Sequence, residues 1–84
     1  MTKLQVKARL RKILEKLSEV RDELQELIDE AQDTVDNIEP YEGAYELTPE
    51  QEERQEWFEE FITQAEGEES ALEDTSSNLE EYTY

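Results

Sequence analysis

The fold is decided by the stretch from residue 10 to residue 38, which reads LRKILEKLSEVRDELQELIDEAQDTVDNI. An apolar residue recurs there every seven positions, at Leu10, Leu17, Leu24, Ala31 and Ile38. A second row with the same spacing consists of Val6, Ile13, Val20 and Leu27, and a partial third row of Leu14, Ile28 and Val35. This periodicity predicts a long amphipathic helix whose apolar stripe is broader than a two-stranded coiled coil needs.

The ends of this helix are marked by local signals. Thr2 and Gln5 have the spacing of a capping box, in which each side chain binds a free backbone amide of the first turn. Pro40 disfavours helical geometry at Glu39. The first helix is therefore predicted over residues 2–39.

A second helix is predicted after a connector at residues 40–48. Thr48, Pro49 and Gln51 form a second helix start, with Thr48 as N-cap and Gln51 closing the capping box. The apolar face of this helix consists of Trp57, Phe58, Phe61, Ile62 and Ala65, continued by Leu72 and Leu79. We expect the helix to span residues 49–82, with weak points at Gly67 and residues 75–77. The alternative is an end at Gly67, followed by a disordered tail.

The two apolar seams predict an all-α, antiparallel helical hairpin that forms a single domain over residues 1–84. Matching Ala31 to Phe58 and Leu10 to Leu79 centres the turn between Ala44 and Tyr45, inside the connector. The hairpin has more apolar surface than one partner helix covers, at Leu14, Ile28, Val35, Trp57 and Ile62. Dimerisation into a four-helix bundle, or docking of this face on a target, is the expected remedy.

The charge of the chain is unevenly distributed. Its 84 residues carry a net charge of −17, yet seven of the eight basic residues lie within the first 21 positions. Residues 22–60, which we call the acidic head, contain sixteen carboxylates and one arginine, a net charge of −15. Between Asp22 and Glu39, eight carboxylates follow about 26 Å of helix, a density like that of phosphates along a DNA strand.

The alternative interpretation of this charge is a solvated helix surface. Such surfaces usually alternate carboxylates with lysines for support between successive turns. Residues 22–53 contain no lysine or arginine, and this asymmetry favours a functional acidic surface.

The composition argues against an enzyme. Cysteine and histidine are both absent, which removes disulfides, the common zinc ligand sets and the usual base for nucleophilic catalysis. No calcium-binding loop or phosphate-binding glycine loop is present, so neither a metal nor a cofactor is expected. The basic start of the chain lacks the apolar stretch of a secretory signal, and no membrane span is expected.

Several aromatic and basic residues have two interpretations. Adjacent residues cannot both face one helix, so Trp57 beside Phe58 is expected to be partly exposed, as an interface anchor. Tyr41 and Tyr45 are expected to close over the turn, with contact to a partner as the alternative. The basic stripe of Lys7, Arg11 and Lys16 is expected to pair with acidic residues across the hairpin rather than to touch nucleic acid. Those acidic residues are Glu66, Glu69, Glu73 and Glu80.

The segment LQELIDEAQD at residues 24–33, followed by DNIEP at residues 36–40, carries a resemblance to known proteins. It resembles small acidic helical proteins of phages and mobile elements of Gram-positive bacteria, which also place a connector and a second acidic helix after this segment. Basic N-terminal turns and the Trp57-Phe58 pair depart from their pattern. The resemblance implies a phage-like setting, in which very acidic small proteins resemble nucleic-acid mimics such as anti-CRISPR or anti-restriction inhibitors.

Together these features predict a non-catalytic inhibitor in the cytoplasm of a bacterial host. Its acidic head would occupy the nucleic-acid-binding surface of a basic host protein, without itself binding nucleic acid. The alternatives are a structural hairpin that self-associates, for example as a homodimer, and an accessory factor that binds a DNA-binding protein without mimicry. The expected partner-binding residues are Asp22, Glu26, Asp29, Asp33, Asp36, Glu52, Glu53, Glu56, Trp57, Glu59 and Glu60.

Overall fold

Two long helices make up nearly all of the computed structural model, which describes all 84 residues. Helix α1 spans Lys3–Asp36 and helix α2 spans Pro49–Glu80, followed by one turn of 3-10 helix at Glu81–Thr83. The helices pack side by side and antiparallel in a rod of 68 × 16 × 15 Å. The predicted all-α helical hairpin is confirmed. Neither helix contains a segment that is both long enough and apolar enough to span a membrane.

Both predicted capping boxes are present. The Thr2 hydroxyl accepts a hydrogen bond from the Gln5 amide at 3.2 Å, and the Thr48 hydroxyl accepts one from the Gln51 amide at 3.1 Å. In each box the glutamine side chain accepts in return from the threonine amide at 2.9 Å. Four amides that a helix start leaves without partners are thereby satisfied.

Helix α1 ends three residues earlier than predicted. The Asn37 amide and its side-chain nitrogen both donate to the Asp33 carbonyl, at 3.1 and 2.8 Å. This double contact occupies a carbonyl that the last turn leaves free and closes the helix before Pro40 is reached. The Gln51 side chain then donates to the Glu39 carbonyl at 2.8 Å, which ties the connector to the start of α2.

Helix α2 continues through both of the predicted weak points. It is helical at Gly67 and at residues 75–77, and it ends at Glu80, so the alternative end at Gly67 is wrong. The Thr75 hydroxyl donates to the Ala71 carbonyl at 2.9 Å, a local bond that lets a threonine sit inside a helix.

The core lies near the turn and is thin. Only Ile28, Ala31, Ile62 and Ala65 are buried apolar residues. Four partly buried side chains pack against them: Leu24, Val35, Phe58 and Phe61. The small residues Ala31 and Ala65 face each other's helix, which allows the two backbones to approach closely while Ile28 and Ile62 fill the layer.

The structure corrects the order of the apolar rows in α1. Leu14, Ile28 and Val35 lie in the seam with Leu10, Leu17 and Leu24, where all of them are buried or half-buried. Val6, Ile13, Val20 and Leu27, by contrast, are between 42% and 49% exposed. Both rows alternate steps of three and four with the row of Leu10, so the spacing does not choose between them; packing against α2 places the row of Leu14 inside. The surplus apolar surface is therefore the row of Val6.

The tyrosines of the connector do not close over the turn. Tyr45 is fully exposed and Tyr41 is 65% exposed, so that expectation is wrong. The connector turns at Gly43, whose φ of +84° is in the left-handed region that favours glycine. The Ala44 amide donates to the Tyr41 carbonyl at 2.8 Å, which closes this turn without the aromatic rings.

Candidate functional site

The seam divides the surface of the rod into two flanks of opposite character. We call one the apolar flank; it contains Val6, Ile13, Val20 and Leu27 of α1 and Trp57, Phe61 and Tyr82 of α2. We call the other the acidic flank; it contains Asp22, Asp29 and Asp36 of α1 and Glu52, Glu59, Glu66, Glu73 and Glu80 of α2. Each row repeats every seven residues, so it keeps a constant position beside a seam of the same period.

The five predicted carboxylates of α1 are all exposed but do not share one row. Asp22, Asp29 and Asp36 lie on the acidic flank at intervals of about 10 Å, while Glu26 and Asp33 point furthest from α2. The Gln25 side chain donates to Asp29 at 2.9 Å. The Gln32 side chain donates to Asp36 at 3.0 Å. These glutamines fix the orientation of two carboxylates without neutralising them.

The predicted carboxylates of α2 extend the same surface across the seam. Glu52 and Glu59 lie on the acidic flank and Glu56 lies beside it, whereas Glu53 and Glu60 point away from α1. All five are exposed. Six of the ten predicted carboxylates thus share one side of the rod near the turn, and the remaining four form its two outer edges.

Trp57 lies apart from this surface. Its ring is 61% exposed, as expected, but on the apolar flank. There it stacks on Phe61 with ring centroids 5.9 Å apart, and Phe58 meets it edge-on at 5.1 Å. With Leu27 and Thr34, these rings line a shallow groove of about 410 Å³. Trp57 and the carboxylates therefore cannot contact the same small patch of a partner.

Cancellation of charge across the hairpin is much weaker than expected. The only ion pair is between Arg21 and Glu73, at 3.8 Å, and Glu73 is largely exposed. Of the predicted basic stripe, Arg11 donates to the Thr83 carbonyl at 2.7 Å, and neither Lys7 nor Lys16 has an acidic partner. Lys16 lies beyond the apolar flank, on the opposite side from Glu66, Glu73 and Glu80, so the expected pairing is wrong for a geometric reason.

Three functional candidates were missed from the sequence. Glu66, Glu73 and Glu80 continue the row of Glu52 and Glu59, so α2 presents a glutamate every seven residues over five repeats. A count of charge by segment hides this row, because it separates residues 22–60 from residues 61–84. The signal that reveals it is the seven-residue period itself.

The chemistry available on this surface is electrostatic. No group of three or more carboxylates is gathered in a geometry that could hold a metal ion. A depression of about 610 Å³ lies beside the turn; it is open to solvent and most of the residues that line it are polar. Dense, unpaired carboxylates on a rigid rod attract a basic surface over distances comparable to the Debye length, about 8 Å at physiological ionic strength.

Comparison of the chain with protein-family models, with curated proteins and with solved structures gives no match.

Proposed function

We propose that this protein is a non-catalytic inhibitor whose acidic head occupies the nucleic-acid-binding surface of a basic bacterial protein. The observation that carries the proposal is the set of exposed carboxylates near the turn, none of which has a basic partner. A chain that needed acidity for solubility alone would require a far smaller net charge. Self-repulsion at −17 destabilises the compact state, and occupation of a basic groove offsets that repulsion.

The structure suggests how the surface would meet its target. The carboxylates of α1 and α2 on the acidic flank form two parallel rows on a rod about 16 Å wide. Helix packing places the two axes about 8–10 Å apart, so a basic groove shaped for a nucleic-acid backbone could contact both rows at once. Such a complex forms rapidly and weakens as salt is added, because most of its attraction is long-range.

The first experiment identifies the target. The tagged protein is used to capture partners from a bacterial lysate, with and without competing DNA, and these are identified by mass spectrometry. A mimic is displaced by DNA. An accessory factor, which binds a DNA-binding protein elsewhere, is retained and brings DNA with it.

The second experiment tests the surface. Reversing three charges with Asp29→Lys, Asp33→Lys and Asp36→Lys should weaken binding to the captured partner by several kcal/mol, in the range measured for close charge pairs in interfaces. The matched control carries Glu19→Lys, Asp74→Lys and Glu81→Lys, which change the net charge equally in the other half of the rod, at exposed positions outside the acidic flank. If the first triple variant binds as well as the unmodified protein, the acidic head is not the binding surface.

A further inference from the structure

Most exposed apolar side chains of the two helices lie on one flank of the rod. Apart from the chain ends, Leu4 in the first turn and the connector, every large apolar side chain that is exposed lies on the apolar flank. These residues are Val6, Ile13, Val20, Leu27, Trp57 and Tyr82. The stripe from Val6 to Leu27 runs along about 32 Å of α1. A continuous exposed stripe of this kind marks an interaction surface rather than ordinary scatter.

The apolar flank is also nearly free of charge on α2. Between Trp57 and Tyr82, Glu68 is the only charged residue on this side of the helix. The others are the aromatic, small and uncharged polar residues Phe61, Gln64, Ala71, Thr75 and Asn78. In a chain with 39% charged residues, this depletion of charge is a feature that interface cores share.

The exposed area of the hairpin leaves room for a partner of its own size. The surface of 6969 Å² exceeds the roughly 5,200 Å² expected for a globular monomer of this mass by about 1,700 Å². A flank about 50 Å long on a rod 16 Å wide has a projected area of about 800 Å², the contribution of one subunit to a standard interface. Four buried apolar residues alone make a weak core, and association is the usual remedy in such small folds.

The charges that border the flank indicate which partner fits. Arg9, Lys16, Glu23 and Glu30 form one exposed row beside the stripe, spaced by seven residues, with two positive charges followed by two negative ones. None of them has an ion-pair partner within the hairpin. A row of this pattern is self-complementary when two copies run in opposite directions and self-repelling when they run in the same direction.

We propose that a second copy of this chain covers the apolar flank in an antiparallel homodimer, a four-helix bundle whose twofold axis crosses the apolar flank at the height of residue 18 along α1. Arg9 and Lys16 of one copy then lie beside Glu30 and Glu23 of the other. Trp57 at the turn end of one copy lies near the basic first turns of the other. The acidic flanks remain free, and the two acidic heads lie at opposite ends of the dimer. This proposal does not depend on the proposed function.

Measurement of the oligomeric state tests whether the apolar flank is the dimer interface. Sedimentation equilibrium of the full chain over a dilution series should give a mass at high concentration of twice the 10.0 kDa of one chain. The double variant Ile13→Glu/Val20→Glu should raise the dissociation constant by about a hundredfold or more, since each buried carboxylate opposes association. The control Ser18→Glu/Gln25→Glu adds the same charge to the other side of α1 and should still dimerise.

A second readout follows Trp57, the only tryptophan. Its emission should shift to the blue as the protein dimerises, and the shift should be absent from the Ile13→Glu/Val20→Glu variant at every concentration. The helical signal in circular dichroism should match between this variant and its control, which establishes that both hairpins are folded. A monomeric mass for the unmodified chain overturns the proposal. So do equal dissociation constants for the Ile13→Glu/Val20→Glu variant and its control.

Cross-linking tests whether the two copies in the dimer run antiparallel. The chain has no cysteine, so Val6→Cys and Leu27→Cys provide unique attachment points. In the antiparallel dimer, residue 6 of one copy lies within about 5 Å, along the axis, of residue 27 of the other, whereas identical positions are more than about 25 Å apart. A short bismaleimide should therefore cross-link a mixture of the two variants and neither variant alone. Cross-linking of each variant with itself identifies a parallel dimer and overturns the proposed arrangement.

Discussion

At the scale of single residues, stability depends on a few side chains near the turn. Ile28 and Ile62 are the only large apolar side chains that are buried, and both lie in the layer of Ala31 and Ala65. Towards the chain ends the seam becomes polar: Arg21, Glu69 and Ser76 take positions that the pattern assigns to apolar residues. Each contributes a buried polar atom without a hydrogen-bond partner.

Truncation of the core tests this distribution. Ile28→Ala should lower the free energy of unfolding by about 2–4 kcal/mol, because it opens a cavity in a core with little else to compensate. Leu4→Ala, in the exposed first turn of the same helix, should change it by less than about 0.5 kcal/mol. Urea unfolding followed by circular dichroism provides both values, and equal losses would contradict the assigned core.

The polar part of the seam predicts a stabilising substitution. Glu69→Leu should raise the free energy of unfolding by about 1–2 kcal/mol, because it removes an unpaired buried oxygen and adds apolar area to the seam. Glu66→Leu makes the same change at an exposed position three residues away and should have little effect. The same urea titration applies, and a gain in both variants would point to charge reduction rather than burial.

At the scale of helices, the start of α2 contributes more to the tertiary structure than the start of α1, because it also binds the connector. Both begin in complete capping boxes, but only Gln51 also holds the connector, through the Glu39 carbonyl. Thr48 is half-buried, whereas Thr2 is exposed. The second cap therefore sets the geometry of the turn as well as the first residue of a helix.

Removal of each cap should show the difference. Thr48→Ala should destabilise the hairpin by about 1–2 kcal/mol. Thr2→Ala should cost only about 0.5–1 kcal/mol, since the exposed first turn of α1 can begin one residue later without disturbing the connector. Thermal unfolding of the two variants makes the comparison. A larger loss for Thr2→Ala would contradict the role given to the connector.

At the scale of the whole molecule, charge and apolar surface are separated on opposite sides of one rod. The acidic flank combines rows from both helices, and the apolar flank leaves its stripe uncovered. Repulsion among carboxylates opposes the compact form, because the net charge is −17 and only one ion pair offsets it.

This repulsion predicts a clear dependence on salt. The melting temperature should rise as sodium chloride increases from about 10 mM to about 1 M, since the Debye length then falls from about 30 Å to about 3 Å. A chain stabilised by surface ion pairs would respond in the opposite direction. Because a single exposed pair is present, its loss is outweighed by screening of the repulsion.

The sequence alone predicts the two helices, both N-caps and their pairing as a hairpin, because seven-residue periodicity and capping residues are local signals that one chain segment carries alone. It did not determine which of two adjacent apolar rows of α1 enters the seam. Leu14 and Ile13 are equally apolar, and only packing against α2 places Leu14 inside and Ile13 outside. The sequence also did not determine which charges pair across the hairpin. Lys16 and Glu73 have opposite charges and lie in segments that pair in the hairpin, so an ion pair between them is expected from the sequence. Only the tertiary structure puts the seam between them and leaves Lys16 beside the apolar flank.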